Sequence, residues 1–437
     1  MRGAELVSFM YADISGLVRG RAFPLRDLEQ RLMSGVGWVP ANQALTPVGP
    51  ITAPNPWGPI GDLRLRPDPN TKARVELWED ASPLHFYLCD AVNPDGSDWD
   101  SCPRVLLKRA LQRLREESGL RLLASFEQEF KLLGIPGDPA PGFSLELLRT
   151  VEPFGALVTA GLEQAGVRLD TFLPEYGANQ FEVTYPPAEG LVATDVAVII
   201  REIVREVARR LGYRATFAPV VDPEDAGSGL HIHLSFIDEN GDPATYDPDG
   251  RGGMSERAAQ FVAGIVTHLP GLCAFTAPSV VSYLRLGPHR SSSGFACAGE
   301  ANREAAVRIP SASSMGGDSA ARYNLEYRPA DSAACPHLAL TTVVLAGLSG
   351  IREKLVPPEL VNRDPLELSE EERTRMGVRR LPRSLEDALA AAEADDEIRS
   401  WFHQDMWDCY FWVKRTEIEV LNYLKPEEQC QRYTGVY

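Results

Sequence analysis

Glutamates stand two apart at Glu127 and Glu129, histidines two apart at His231 and His233, and Glu326 lies two before Arg328, while Glu175 is followed by Glu182. In an extended strand, residues two apart share a face, so each pair aims its side chains at one point. Carboxylates aimed at one point repel unless cations lie between them. Several glutamates with one or two histidines and no cysteine suit Mg²⁺ or Mn²⁺ better than Zn²⁺, because hard cations prefer oxygen ligands. Any one pair alone reads as an exposed strand face; the four pieces together read as a multi-metal nucleotide site.

These pieces sit in elements that periodicity outlines. LLASFEQEFKLL and GLHIHLSF alternate as strands, the second bounded by Gly227-Ser228-Gly229 and Asn240-Gly241, with its histidines opposite Ile232 and Leu234. VSFMYADIS and RVELWEDAS read as strands in an N-terminal region rich in Pro and Gly from Pro40 to Pro69. NPDGSDWDSCP marks a boundary, after which Ser101 can cap a helix running from Pro103 to a stop at Gly119. A second helix is expected from Thr194 to Leu211, with Gly212 as its stop, and others near 255–269, 337–352 and 384–423, the last opening with Ser384 and Asp387 in a capping box. The Trp401, Trp407, Tyr410, Phe411 and Trp412 cluster reads as core or subunit-contact surface, since basic residues do not interleave with it as in a base-stacking platform.

The chain has 437 residues, 44% hydrophobic and 24% charged, which is enough for more than one core. A net charge of -17 excludes a general nucleic-acid or anionic-membrane binder, because neutralising phosphates needs clustered Lys and Arg. The N-terminal MRGAELVSFMYADISGLVRGRAF lacks the uncharged core of a signal peptide or membrane span, so the expected compartment is the cytoplasm. Seven cysteines without CxxC spacing read as reduced thiols.

FEQEF, PEYGANQFEV, GSGLHIHLS, SYLRLGP, ANREAAVRIP and LEYRPAD follow one another in an order that resembles the glutamine synthetase family, over most of the chain. The resemblance implies an α+β fold: a small N-terminal β-grasp-like domain over residues 1–100, then a catalytic domain over 101–437 whose curved antiparallel sheet is flanked by helices. It implies that Glu129, Glu175 and Glu182 hold a metal beside the acid substrate and the transferred phosphate, and that Glu127, His231 and Glu326 hold the metal on the nucleotide phosphates. His233 and Ser235 would lie against ATP, Arg303 and Arg308 would bind phosphate oxygens and stabilise charge during transfer, and Gly227, Arg285 and Arg328 would receive the acid substrate. Read apart from their neighbours, Arg303 and Arg308 are ordinary surface salt-bridge partners. The implied reaction is ATP-dependent activation of a side-chain carboxylate as an acyl phosphate, with two to three Mg²⁺ or Mn²⁺ ions, followed by attack of a nitrogen nucleophile. The implied assembly is a dodecamer of two stacked hexameric rings.

Three departures bear on substrate. The flap position where glutamine synthetases carry an acid is Ser291, in a stretch, GPHRSSSGFACAGE, that cannot supply a negative charge there. In place of the family's ammonium-site segment stands GWVPANQALTPVG, and no Asp or Glu occurs from Ser34 through Gly61. Ammonium needs carboxylates for binding and deprotonation, so a bulkier amine is expected, with Trp38 and Trp57 either lining its pocket or packing. Ala226 stands where the family has an asparagine that touches glutamate. The sequence therefore resembles the branch that makes γ-glutamyl amides from amines; a true glutamine synthetase using ammonium and a non-catalytic structural or regulatory relative are the alternatives.

Overall fold

Alternation in the first strand buries Val7, Phe9 and Tyr11 on one face. In the computed structural model, which describes residues 3–290, 292–311 and 317–437, this strand opens a six-stranded sheet made of β1 (Leu6–Ala12), β2 (Val18–Pro24), β3 (Val36–Trp38), β4 (Leu63–Pro67), β5 (Ala73–Val75) and β6 (Leu84–Val92). The order is β2-β1-β6-β4-β3, with β5 also on β6, and β1 runs parallel to β6. Trp38 is buried in this unit's core, and Trp57 packs on Trp99 with ring centroids 5.1 Å apart, so both tryptophans pack. RVELWEDAS is a strand only at Arg74 and Val75. Beyond them the ladder gives way to side-chain partners: the Glu76 amide donates to Gln164 Oε1 (2.7 Å), and the Arg210 guanidinium lies 5.2 Å from the Trp78 ring centre.

The larger sheet has ten strands: β7 (Arg121–Leu133), β8 (Thr171–Pro174), β9 (Gln180–Thr184), β10 (Ala188–Glu189), β11 (Arg214–Thr216), β12 (Leu230–Ile237), β13 (Phe295–Glu300), β14 (Ala305–Ile309), β15 (Leu325–Tyr327) and β16 (Arg379–Arg380). Its path is β16-β13-β14-β15-β12-β7-β9-β8, with β10 and β11 also on β7. Pairing is antiparallel as expected, apart from β13 on β14, which is parallel.

Helices flank this sheet. Pro103–Ser118 ends at Gly119 in the left-handed conformation (φ 69), but its N-cap is Cys102 and not Ser101, whose carbonyl instead accepts from Gln43 Nε2 (2.7 Å). Gly190–Arg210 starts four residues before the expected Thr194, with Thr194 Oγ1 turned to the Leu191 carbonyl (2.8 Å). Glu256–Thr276 runs past the expected 269 because Pro270 is tolerated inside it: the missing proline N–H leaves the Val266 carbonyl free, and Arg379 NH2 donates to Val266 O (3.1 Å) and Thr267 O (2.7 Å). By length and mean hydropathy (1.4) this helix could cross a membrane, yet 78% of the window is buried inside the protein. The 384–423 region divides into Leu385–Glu393, Asp396–Ser400 and Gln404–Leu421. Ser384 Oγ caps the Asp387 amide (3.1 Å), while Asp387 reaches back to the amide of Arg383, one residue short of a reciprocal box. Trp407, Tyr410 and Phe411 are buried in the core. The seven cysteines are free and buried.

Candidate active site

Strand register assembles the site. His231 faces Glu127 across β12 and β7, Glu129 faces Glu182 across β7 and β9, His233 faces Glu326 across β12 and β15, and Glu326 faces Arg308 across β15 and β14. Residues from five strands thus meet on one face of the sheet. His231 Nδ1 lies 3.0 Å from Glu127 Oε2 and 3.6 Å from Glu326 Oε1, and His233 Nε2 lies 2.8 Å from Glu127 Oε1. Arg308 NH1 donates to Glu326 Oε2 (2.7 Å), and Arg328 NH1 donates to the other oxygen of the same carboxylate.

The charges are strongly coupled. Burial pushes the Glu127 carboxyl up, but hydrogen bonds from His231 and His233 outweigh it and hold the group well below the usual range. Burial likewise opposes ionisation of Glu326, and the charges of His231, Arg328 and His233 pull it down. His233 is pushed down by burial yet rises to about 9 through its bond to Glu127. Glu175 rises to about 7, from burial and then the Glu129 charge, and Glu182 rises to about 9, from burial and then Glu127 and Glu129. A divalent cation would relieve this crowding. The donor set fits one: single ligand atoms from Glu127, His233 and Glu326 lie within 4.8 Å of one another, and His231 reaches two of these carboxylates.

Two cavities of about 520 Å³ each meet at Glu127 and Glu182. The first also takes in Glu129, Glu175, Arg303, Arg308 and Arg328, with Ala226 and Gly227 on its wall. The second contains His233 and Ser235. Of the described residues named from sequence, Arg285 stands apart: it lines neither cavity, and its guanidinium donates to Pro329 O and Arg328 O (both 3.1 Å). The two glycines of Gly227-Ser228-Gly229 make room for it, since a Cβ at Gly229 would fall 2.6 Å from Arg285 NH2 and one at Gly227 would fall 2.9 Å from its Cγ. Ser291 lies outside the described residues. Two residues before it, His289 meets two carboxylates: its amide donates to Glu304 Oε2 (3.1 Å) and its Nε2 lies 2.6 Å from Asp364 Oδ2. Asp364 is far along the chain, so flap sequence alone gave no sign of it.

Three participants have no spacing signal. Gln180, within PEYGANQFEV, donates from Nε2 to Glu129 Oε2 (2.9 Å) and Gly227 O (3.0 Å) and accepts from the Gly177 amide (2.8 Å), binding three segments of the wall to one carboxamide. Phe143 and Tyr176 also line the first cavity.

A sheet here gathers carboxylates, imidazoles and guanidiniums where two cavities meet, an arrangement able to hold divalent cations and bind anionic oxygens. Residues 1–99 match the glutamine synthetase N-terminal domain and residues 100–433 the glutamine synthetase catalytic domain. The chain belongs to the glutamine synthetase family, whose members are ATP-dependent ligases that form C–N bonds. It is 33% identical over 446 residues to the gamma-glutamylpolyamine synthetase GlnA3 of Streptomyces coelicolor, covering 100% of this chain and 94% of that protein. It is 28% identical over 430 residues to the glutamine synthetase of Methanocaldococcus jannaschii, covering 94% and 91%. A solved structure described as a novel glutamine synthase homolog superposes with a TM-score of 0.92 at 43% identity, covering 100% of this chain and 99% of that one, and GmaS in complex with ADP with 0.83 at 26%, covering 98% and 96%.

Proposed function

We propose that this protein activates the γ-carboxylate of glutamate, or of a close analogue, as an acyl phosphate at the expense of ATP and condenses it with an amine other than ammonia. The observation that carries this reading is the convergence of Glu127, Glu129, Glu175, Glu182, His231 and Glu326 where the two cavities meet. The full-length similarity to a gamma-glutamylpolyamine synthetase and the acid-free Ser34–Gly61 segment favour an amine over ammonium.

In this reading the first cavity receives the acid and the second the nucleotide. Glu129, Glu175 and Glu182 form one cation site and Glu127, His231 and Glu326 another, with His233 positioned to join the second. Two to three Mg²⁺ or Mn²⁺ ions held there would neutralise phosphate charge and polarise the transferred group. Arg303 and Arg308 bind oxygens of the γ-phosphate, while Arg328, with Arg285 braced behind it, orients the acid's α-carboxylate beside Gly227. A carboxylate oxygen attacks the γ-phosphorus and ADP leaves; the amine nitrogen then attacks the acyl carbon, phosphate leaves, and the nitrogen loses a proton. Ala226 widens the acid pocket, which is why close analogues of glutamate are included. The division near residue 100 and a dodecamer of stacked hexameric rings belong to the same proposal; Ile51 and Ile60, 52% and 77% exposed in the acid-free loop, supply apolar surface for a neighbouring subunit.

The test is phosphate release with ATP, Mg²⁺ and glutamate across a panel of ammonium, methylamine, butylamine and 1,4-diaminobutane. Turnover with amines is expected; turnover with ammonium alone would establish the second reading, a glutamine synthetase, which similarity to proteins of that name supports.

A further inference from the structure

Phe143 is 63% exposed and adopts a positive φ of 58°, an uncommon backbone state for a bulky residue. Both neighbours enforce it. A Cβ on Gly142 would fall 2.6 Å from Glu175 O and 3.0 Å from Tyr176 Cα, so this loop sits directly on the Glu175–Tyr176 turn. On the other side, Ser144 caps the Leu145–Thr150 helix by accepting from the Leu147 amide (3.0 Å). The strained residue therefore gains no core packing; it lines the first cavity with most of its surface exposed. Tyr176, 73% exposed, lines the same cavity, and its amide donates to Glu175 Oε2 (3.0 Å). Leu173 adds a third apolar contact to that wall. Two exposed aromatic side chains lining a cavity beside a carboxylate cluster are suited to covering the carbon skeleton of a ligand whose polar end lies deeper.

We infer that Phe143 and Tyr176 form an aromatic clip for the methylene chain of the nucleophile, so that the amine substrate is a primary amine carrying an unbranched chain of several carbons. This rests on the amine-ligase reading above and specifies its substrate class. Ammonia has no chain to cover and methylamine is too short to span from a reacting nitrogen in the cavity to its rim, so the clip discriminates by chain length.

The experiment compares kcat/KM for butylamine with kcat/KM for methylamine in the wild type, Phe143→Ala and Tyr176→Ala, at saturating ATP, Mg²⁺ and glutamate. The wild type is expected to favour butylamine, and each substitution to reduce the butylamine-to-methylamine ratio about tenfold, mainly through a higher KM for butylamine. Tyr176→Phe, which keeps the ring, is expected to retain the wild-type ratio. A ratio unchanged in both alanine variants of a protein that does condense amines overturns the clip alone. A wild type that turns over ammonium and no amine overturns the amine-ligase reading and the clip with it.

Discussion

Glu129 shows how a single carboxylate is both held and left available. One oxygen accepts from Gln180 Nε2 and from the Gly229 amide (both 2.9 Å), which fixes the group while its position on the cavity wall leaves it facing Glu182 across the sheet. Glu129→Ala is expected to lower acyl-phosphate formation by about 100-fold or more with the far-ultraviolet circular dichroism unchanged, because the proposed cation ligand is lost and the strand is not. A pH dependence follows from the same cluster. Glu175 at about 7, Glu182 at about 9 and His233 at about 9 all bind protons more tightly in the folded protein than their ordinary values of 4.5, 4.5 and 6.5 imply. For groups with raised values the folded state holds the extra protons, so the stability they contribute is present at low pH and is lost as pH rises, from about 4.5 to 9 for the glutamates and from about 6.5 to 9 for the histidine. A cation held by the same carboxylates would compete with those protons. The rise in Tm on replacing EDTA with Mg²⁺ is therefore expected to be larger at pH 8.5 than at pH 6, and calorimetry in two buffers of different ionisation heat should record proton release on binding. Glu127 with Glu129 and His231 with His233 were legible because strand spacing places each pair on one face, whereas Glu175 and Glu182 came with the family resemblance. Gln180, Phe143 and Tyr176 were not legible, since their roles come from what the fold brings beside them.

At the scale of elements, the strands and helices that carry the site follow their periodicity closely, and the misreadings fall where side chains take over from backbone. Alternation in RVELWEDAS reads as a strand, but Gln164 and Arg210 claim Glu76 and Trp78 instead. Thr194 has the sequence signature of a helix start yet lies one turn inside, with its hydroxyl bonded back along the helix. Periodicity ends the Glu256–Thr276 helix near 269; Arg379, more than a hundred residues later, caps the carbonyls exposed at Pro270 and the helix continues. Arg379→Ala is expected to cost about 1 kcal/mol, measured as a lower denaturation midpoint with unaltered activity. The 227–229 loop is more demanding. Gly229→Ala would drive a methyl group to within 2.6 Å of Arg285 NH2 and 3.1 Å of His231 Nε2, displacing both. That variant is expected to raise the KM for glutamate and weaken Mg²⁺ binding together; a normal KM with normal Mg²⁺ dependence would show that Arg285 is not braced by this loop.

Across the whole molecule, the N-terminal sheet is fastened to helices that flank the larger sheet by charge as well as by apolar packing. Arg104, on the first helix after the linking segment, donates to Asp68 (2.7 Å) and Asp90 (2.8 Å) of the N-terminal sheet region and to both oxygens of Asp195 (2.9 and 2.8 Å), which also meets His337 Nε2 at 2.8 Å. Removing one partner strands buried opposite charges, so Arg104→Ala is expected to destabilise the protein by about 3–5 kcal/mol in chemical denaturation. Such a bridge between distant segments was invisible in the sequence, because nothing in the spacing of Asp68, Asp90, Arg104 and Asp195 marks them as partners. The convergence of carboxylates has its consequence at this scale too: it sets the two cavities against each other, and in the proposed reaction a carboxylate oxygen in the first attacks the γ-phosphorus of a nucleotide in the second. The most direct test follows that oxygen. With glutamate labelled with ¹⁸O in its γ-carboxylate, and ATP, Mg²⁺ and an amine substrate, mass spectrometry of the released phosphate is expected to find one ¹⁸O per turnover, and label transfer should disappear with Glu129→Ala; unlabelled phosphate formed alongside the amide would contradict activation through an acyl phosphate.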